Sequence, residues 1–271
     1  MDSGKISVLM GIYNCADTLG EAIDSVLSQT YTNWELILCD DCSTDGTYEV
    51  AAEYAGRYPD KIILLRNDKN SRLAYSLNRC LEKASGEYVA RMDGDDKCAH
   101  DRFEKQLAYL AAHPDAVLCG TAMRRFSDKG GLGSVDVRPA VPDKFTPHTT
   151  VPFNHATILA YKSCYDALGG YTVSPRTVRG QDRDLWYRFF AAGYKGVNTD
   201  EPLYLVREDE AAIRRRTAKV RWNSFKTDII GYKMLGYPVT WYVRPIVNLA
   251  KVLVPTKAML VYRNMQTKKS K

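Results

Sequence analysis

Residues 7–47 read SVLMGIYNCADTLGEAIDSVLSQTYTNWELILCDDCSTDGT, and they hold one complete strand–helix–strand unit. The opening run, Ile6–Ile12, is short and almost unbroken in its apolar character, which suits a strand buried on both faces. In the next segment, Leu19–Gln29, the residues Ala22, Ile23, Val26 and Leu27 recur at helical spacing and make one apolar stripe. A second apolar run, Trp34–Cys39, follows and ends on Asp40 and Asp41. The unit then repeats. Ile62–Arg66, Tyr88–Met92 and Ala116–Gly120 read as strands, and Thr47–Arg57, Leu73–Lys83 and Arg102–His113 read as helices between them. Such alternation predicts an α/β fold with a parallel, doubly wound sheet. Ligands in that architecture bind outside the carboxyl ends of the strands, so the chemistry is expected just after each one.

The second half is less regular. Thr157–Tyr161 and Leu203–Val206 read as strands, and Lys162–Leu168 and Asp184–Ala192 as helices, with Gly193 placed to cap the last. The glycine cluster Gly130, Gly131 and Gly133 reads as a plain turn, because no strand–helix context surrounds it to make a phosphate cradle. Apolar residues form 45% of the 271, enough for a packed core. No export signal opens the sequence. The seven cysteines are odd in number and irregular in spacing, which fits reduced thiols in the cytosol. Cys39 and Cys42 form a CxxC pair, but Asp40 and Asp41 between them would raise a thiol pKa where a redox motif needs it lowered. A zinc site would need a second pair.

The strand ends are acidic. Asp40 and Asp41 follow the second strand, with Ser43, Thr44 and Asp45 next; Asp93, Asp95 and Asp96 follow the fourth, around Gly94. Helix capping accounts for Ser43 or Asp45. It does not account for three carboxylates in four residues, which repel one another unless a cation lies among them. Magnesium-like ions take one or two carboxylates together with substrate phosphates. A Mg²⁺ or Mn²⁺ site holding a phosphorylated ligand and a solvated acidic turn are both open on spacing alone. Farther on, Gln181, Asp182 and Asp184 precede Trp186 and Arg188; Asp182 reads either as a helix N-cap or as a general base.

Taken together, residues 7–47, GEYVARMDGDD at 86–96, FNHATILAYK at 153–162, ALGGY at 167–171 and GQDRDLWYR at 180–188 resemble the family 2 glycosyltransferases, in order, over about residues 6–216. VREDEAAIRRR, at 206–216, resembles a subgroup that builds bacterial exopolysaccharide, capsule or lipopolysaccharide. The resemblance implies a GT-A fold, a Rossmann-like, mostly parallel sheet flanked by helices. It implies an inverting transfer from a nucleotide-sugar donor, with UDP the expected nucleotide, to a glycan or lipid-linked acceptor. Gly11, Tyr13, Asn14, Asp41, Arg72, Asp93 and Gly94 would line the nucleotide-sugar site, with Asp40 supporting Asp41. Asp93 and Asp95 would hold Mn²⁺ or Mg²⁺, Asp96 sharing the role, and Asp182 would be the catalytic base. The region Lys69–Asn78 would close over the nucleotide. Three positions depart from the family. Arg72 stands where glycine is usual, Gln181 where glutamate is usual, and Glu208 and Asp209 follow Arg207 where a histidine is usual.

The net charge of +6 conceals an asymmetry. Residues 211–271 carry fourteen bases and one acid, and the rest of the chain twenty-four bases and thirty-one acids. The chain is therefore divided into a catalytic domain, 1–210, and a basic, aromatic helical tail, 211–271. Basic residues interleaved with Trp222, Phe225, Tyr232, Tyr237, Trp241 and Tyr242 suit an anionic membrane surface, which places the protein at the cytoplasmic face of the plasma membrane. Packing of a solvated helix back on the body is the alternative. Pro245–Pro255 is too short to span a bilayer. No nucleic-acid motif is present, and nucleic acid is not expected as a partner. A sugar nucleotidyltransferase is the rival enzyme, but its glycine-rich loop is missing after the first strand; a non-catalytic nucleotide-sugar binding module is the rival non-enzyme.

Overall fold

The computed structural model describes residues 4–128, 130–208 and 217–250. Strands β1 (Ile6–Ile12), β2 (Trp34–Asp40), β3 (Ile62–Arg66) and β4 (Tyr88–Arg91) form a parallel block in the order β3-β2-β1-β4. Every residue of β2 is buried, and so is every residue of β1 except Gly11. Those strands therefore needed the continuous apolar runs that the sequence supplies. Helices α1 (Ala16–Leu27), α2 (Thr47–Arg57) and α3 (Leu73–Lys83) connect them. The buried stripe of α1 is Leu19, Ala22, Ile23 and Val26, with Leu27 only partly covered.

Beyond β4 the sheet is mixed. β8 (Leu159–Tyr161) pairs antiparallel with β4 and with β6 (Leu118–Phe126), and β6 runs parallel to β9 (Gly196–Arg207). The two-residue β5 (Lys97–Cys98) closes the order on the far side of β9, and β7 (Leu132–Asp136) forms a hairpin with β6. Gly130 and Gly131, at φ +90° and +99°, make the turn before β7, as the sequence suggests. The fully parallel sheet expected from strand–helix alternation therefore holds up to β4. After it β8 runs antiparallel to both β4 and β6, and parallel pairing returns only between β6 and β9.

Helices α4 (Arg102–Ala111), α5 (Thr146–Thr149), α6 (Lys162–Leu168) and α7 (Gln181–Ala191) complete the body. Gly193, at φ +79°, ends α7 in the left-handed conformation that glycine tolerates. Two apolar clusters cover the two faces of the sheet. A third joins Tyr187 of α7 to Tyr232 and Tyr237, and it anchors α8 (Ala218–Met234) and α9 (Val243–Ala250). The described part of the basic tail is thus packed on the body; Arg214, Arg215, Arg216 and residues 251–271 lie outside the described residues. None of the seven cysteines is in a disulfide, including Cys39 and Cys42.

Candidate active site

The carboxyl ends of β2, β1 and β4 lie side by side, and the acidic residues leave from them. Gly11 of β1 is in register with Cys39, Ile12 with Asp40, and Leu9 with Arg91. Asp41 and Asp93 therefore flank the end of β1 from either side, two strand spacings apart, on the order of 10 Å. A side chain at Gly11 would meet Leu73 and Ser76, so this glycine lets α3 pack against β1. The loop after β1 carries Tyr13, 46% exposed, and Asn14, whose φ is +48°. Asn14 donates its N–H to Ser43 Oγ at 3.1 Å and accepts from the Thr44 N–H at 2.9 Å, which ties this loop to the one after β2.

Asp41 is buried and organises the segment before α3. One of its oxygens accepts from Asn67 Nδ2 and the Ser71 N–H, each at 2.7 Å; the other accepts from the Arg72 N–H at 2.8 Å. Asp40, fully buried, accepts from the Ser43 N–H and pairs with Arg66. Arg72 occupies φ +75°. That conformation favours glycine.

Asp93, Asp95 and Asp96 each present an oxygen within 4.8 Å of the others. Asp93 is paired with Arg91, which is completely buried and has no hydrogen-bond partner for Nε. Burial, and then Asp93, raise the carboxyl pKa of Asp95. Burial, Asp93 and Asp95 push that of Asp96 up to about 7, even though Tyr204 Oη and the Arg207 N–H donate to it at 2.9 and 2.8 Å. Tyr204 Oη also accepts from the Asp93 N–H at 3.1 Å. Crowded carboxylates with raised pKa values are short of positive charge. Their hard oxygen atoms suit Mg²⁺ or Mn²⁺. Gly94 has no room for a side chain, since a Cβ would lie 3.0 Å from both Cys15 Sγ and Ile12 Cγ2. Arg207 closes the rim. Its Nε donates to the Asp95 carbonyl at 2.8 Å, and its other nitrogens pair with Glu21 and Asp128. Glu208 is held through its own N–H to Phe126; Asp209 lies outside the described residues.

The third cluster resolves into two roles. Asp184 is buried and accepts from Thr172 Oγ1 at 2.6 Å, Arg176 Nη1 at 2.5 Å and Arg188 Nε at 2.9 Å. Against the cost of burial, these bonds hold its carboxyl below its ordinary value. Asp182 is not the N-cap of α7. That position is Gly180, and Asp182 lies in the first turn, where the helix dipole favours an acid. It faces a cavity of about 410 Å³ between α5, α7, α8 and α9. Gln181 bonds back to the Gly180 N–H through its side-chain oxygen.

This cavity does not include Asp41, Asp93 or Asp95 among its walls. The two regions meet through buried side chains. His155 bonds to Tyr171 Oη at 2.8 Å, and Tyr171 feels the charges of both Arg91 and Asp182. Burial, and then Arg91, depress the His155 pKa well below its usual value, so this imidazole is neutral. Asn78 of α3 exchanges two 2.8 Å hydrogen bonds with the Tyr171 backbone. Sequence reasoning missed Arg91, His155, Tyr171 and Tyr204. A charge inside an apolar strand was the available signal for Arg91.

The model described as "Glycosyl transferase family 2" matches residues 7–164. EpsE of Bacillus subtilis (strain 168) is 44% identical over 275 residues, covering 100% of this chain and 98% of that protein. The Escherichia coli protein named UDP-Glc:alpha-D-GlcNAc-diphosphoundecaprenol beta-1,3-glucosyltransferase WfgD is 37% identical over 110 residues, 41% of this chain and 42% of its own. Among solved structures, S. aureus TarS residues 1–349 with UDP-GlcNAc gives a TM-score of 0.69 at 16% identity, covering 92% of this chain and 71% of that one. The mannosyltransferase PcManGT of Pyrobaculum calidifontis, with GDP-Man and Mn²⁺, gives 0.67 at 18%, covering 97% and 80%. At those identities the two structures bear on the fold alone.

Proposed function

The chain belongs to the family 2 glycosyltransferases, and from that premise we propose an inverting sugar transfer from a UDP-linked donor to a hydroxyl of a lipid-linked acceptor in bacterial surface polysaccharide synthesis. One observation carries the reading: Asp93, Asp95 and Asp96 converge beside Asp41, while Asp182, on a different element, faces a cavity large enough for an acceptor. WfgD, by its name, uses UDP-Glc and a diphosphoundecaprenol acceptor, and that pairing is the one we extend to this chain.

In this scheme Gly11, Tyr13, Asn14 and Arg72 border the nucleotide and Asp41 receives its base. Asp93 and Asp95, with Asp96 alongside, hold Mn²⁺ or Mg²⁺. An ion held there would supply positive charge to offset that growing on the leaving diphosphate, worth several kcal/mol of barrier. Asp182 takes the proton of the acceptor hydroxyl. The freed oxygen attacks the anomeric carbon, the bond from that carbon to the diphosphate oxygen breaks, and the nucleoside diphosphate leaves from the opposite face. Tyr204 and Arg207 orient Asp96. We keep 1–210 as the catalytic domain and 211–271 as its appendage.

The test is UDP release from a panel of UDP-sugars with Mn²⁺, in the wild type and in Asp182→Asn. A general base contributes about 10²- to 10⁴-fold. The variant should lose at least a hundredfold in turnover at unchanged UDP affinity. Turnover within tenfold of wild type removes Asp182 from the role.

We also propose contact with an anionic membrane surface on the cytoplasmic side. The support is α9, which exposes Val243, Ile246 and Val247 beside a tail rich in Lys and Arg. Among the described residues no helix is long and apolar enough to cross a membrane. Cutting the chain near Ala211 would strip Asp228 from Arg183 and Tyr187, so Ile246→Asp is the better variant for a liposome flotation test. Equal flotation of the variant and the wild type rejects this surface.

A further inference from the structure

Arg91 precedes the acidic turn by two residues and is cut off from water. It ends β4; its N–H donates to the Ile158 carbonyl at 3.0 Å and its carbonyl accepts from Arg102 Nη2 at 3.1 Å, so the sheet fixes where the side chain starts. The residue is 2% exposed. A guanidinium is not deprotonated in proteins, so a whole positive charge is buried here. Among the described residues Asp93 is the one carboxylate paired with it, and Nε has no hydrogen-bond partner. The other polar groups around it, Tyr171, Tyr204 and the neutral His155, offset no charge. Arg102, also fully buried, adds a second cation, and its oxygen acceptors are uncharged: Gln106 Oε1 at 2.9 Å and the carbonyls of Arg91, Ala156 and Ile158. Asp93 therefore has a prior claimant. A Mn²⁺ or Mg²⁺ ion that took Asp93 from Arg91 would leave a buried charge unpaired, and an ion that shared Asp93 would lie one carboxylate away from that charge. Either arrangement is unfavourable.

We propose that Arg91 is a built-in competitor for Asp93, a positioning residue that keeps the affinity for the divalent ion low until a diphosphate is present, so that the ion enters and leaves with the nucleotide. The inference rests on the transferase reading and adds to it a control over the ion site. A nucleoside diphosphate brings negative charge of its own and oxygen ligands, which draw an ion in without asking Asp93 to give up Arg91. When the diphosphate leaves, that charge leaves with it, Arg91 recovers Asp93, and the site does not retain the ion between turnovers.

Calorimetry titrates Mn²⁺ into the full chain with and without excess UDP, each against a protein-free blank, and the Mn²⁺ left on the chain is counted after gel filtration. In the wild type the half-saturating Mn²⁺ concentration should fall at least about tenfold when UDP is present, and the filtered chain should hold little Mn²⁺. Arg91→Met keeps a long stem and removes the charge; it should bind Mn²⁺ alone at least about tenfold more tightly than the wild type and keep it through the column. A residue that merely supported Asp93 would weaken the ion when lost, so the sign of the change separates a competing charge from a structural prop. Arg91→Lys, with the charge retained, should stay within about threefold of the wild type. Wild-type Mn²⁺ binding equally tight with and without UDP, a folded Arg91→Met variant that binds Mn²⁺ no more tightly than the wild type, or Arg91→Lys as tight as Arg91→Met each overturns the inference. Circular dichroism reports whether Arg91→Met folds; if it does not, the wild-type comparison with and without UDP decides. UDP binding to a wild type that already holds Mn²⁺ tightly removes this inference and leaves sugar transfer standing, whereas failure of UDP to bind in the presence of Mn²⁺ removes both.

Discussion

Asp182 and Asp184 stand two residues apart in one helix, and replacing each by asparagine should have opposite consequences. Asp184→Asn removes the charge that Arg176 and Arg188 share, both of them less than a fifth exposed. Breaking a buried pair from one side costs about 3–5 kcal/mol. For a chain of this size each kcal/mol moves Tm by roughly 2–4 °C, so the drop at pH 7 should be about 6–20 °C. Among the described residues Asp182 has no such partners, and it lines a cavity, so Asp182→Asn should melt within about 2 °C of wild type, the ordinary range for a substitution away from buried features. Acid provides a second reading. The folded Asp184 carboxyl lies below its ordinary value because its hydrogen bonds outweigh burial. The unfolded chain therefore takes up a proton first. The stability that Asp184 contributes is complete above the ordinary carboxylate value near 4 and is lost as pH falls through the folded value. The Tm gap between wild type and Asp184→Asn should thus close in strong acid. Thermal melts by circular dichroism across pH measure both effects. Equal melting of Asp184→Asn and Asp182→Asn at neutral pH would refute the division of roles.

Other substitutions test the remaining parts of the site. Arg72→Gly relieves a positive φ that costs a non-glycine residue about 1–3 kcal/mol; Tm should rise by at least roughly 2 °C, and an unchanged Tm argues against strain there. Tyr204→Phe deletes the hydroxyl that joins the Asp93 N–H to Asp96; the half-saturating Mn²⁺ concentration should rise at least about tenfold, and calorimetry showing equal affinity would remove Tyr204 from the ion's support. Gly231→Ala drives a methyl group into the Tyr187 ring, costing about 1–3 kcal/mol by overpacking; a Tm equal to wild type would mean that α8 is not seated on α7.

The first half of the fold was largely legible, although α1 starts at Ala16 rather than Leu19 and β6 runs to Phe126 rather than Gly120. β1, β3, α2 and α3 begin and end where apolar period and composition place them, because each is buried by its immediate neighbours in sequence. The second half was not. β9 runs twelve residues, whereas Leu203–Val206 was all that the pattern revealed, since Asn198, Thr199 and Asp200 break the apolar run, and Asn198 and Thr199 are held by pairing with β6. The acidic turn was visible as crowding, but Tyr204 was not, because sheet register rather than local sequence brings it there; Arg91 stands two residues before Asp93, and only its burial was hidden. For Asp182 and Asp184 the limit is geometric. At 100° per residue they point about 200° apart, and which of the two faces the core depends on where α7 is docked.

The family match ends at residue 164, and the site does not. Residues 7–164 supply Asp41, the loop it shapes and the acidic turn, the parts to which the proposed scheme assigns the nucleotide and the ion. Asp41 and Asp93 are held from within that stretch, by Asn67, Ser71, Arg72 and Arg91, but Asp96 is held from later in the chain. Tyr204 and Arg207 fix Asp96, Tyr171 feels the charges of both Arg91 and Asp182, and Asp228 neutralises the arginine next to Asp182. β9 ends at Arg207 against the acidic turn, and α8, beginning at Ala218, packs on the helix that carries Asp182. The same late stretch of chain thus braces both sides of the site. A substitution there can alter the acceptor without touching the nucleotide pocket, which is why differences in acceptor among relatives are to be sought after residue 164 rather than before it.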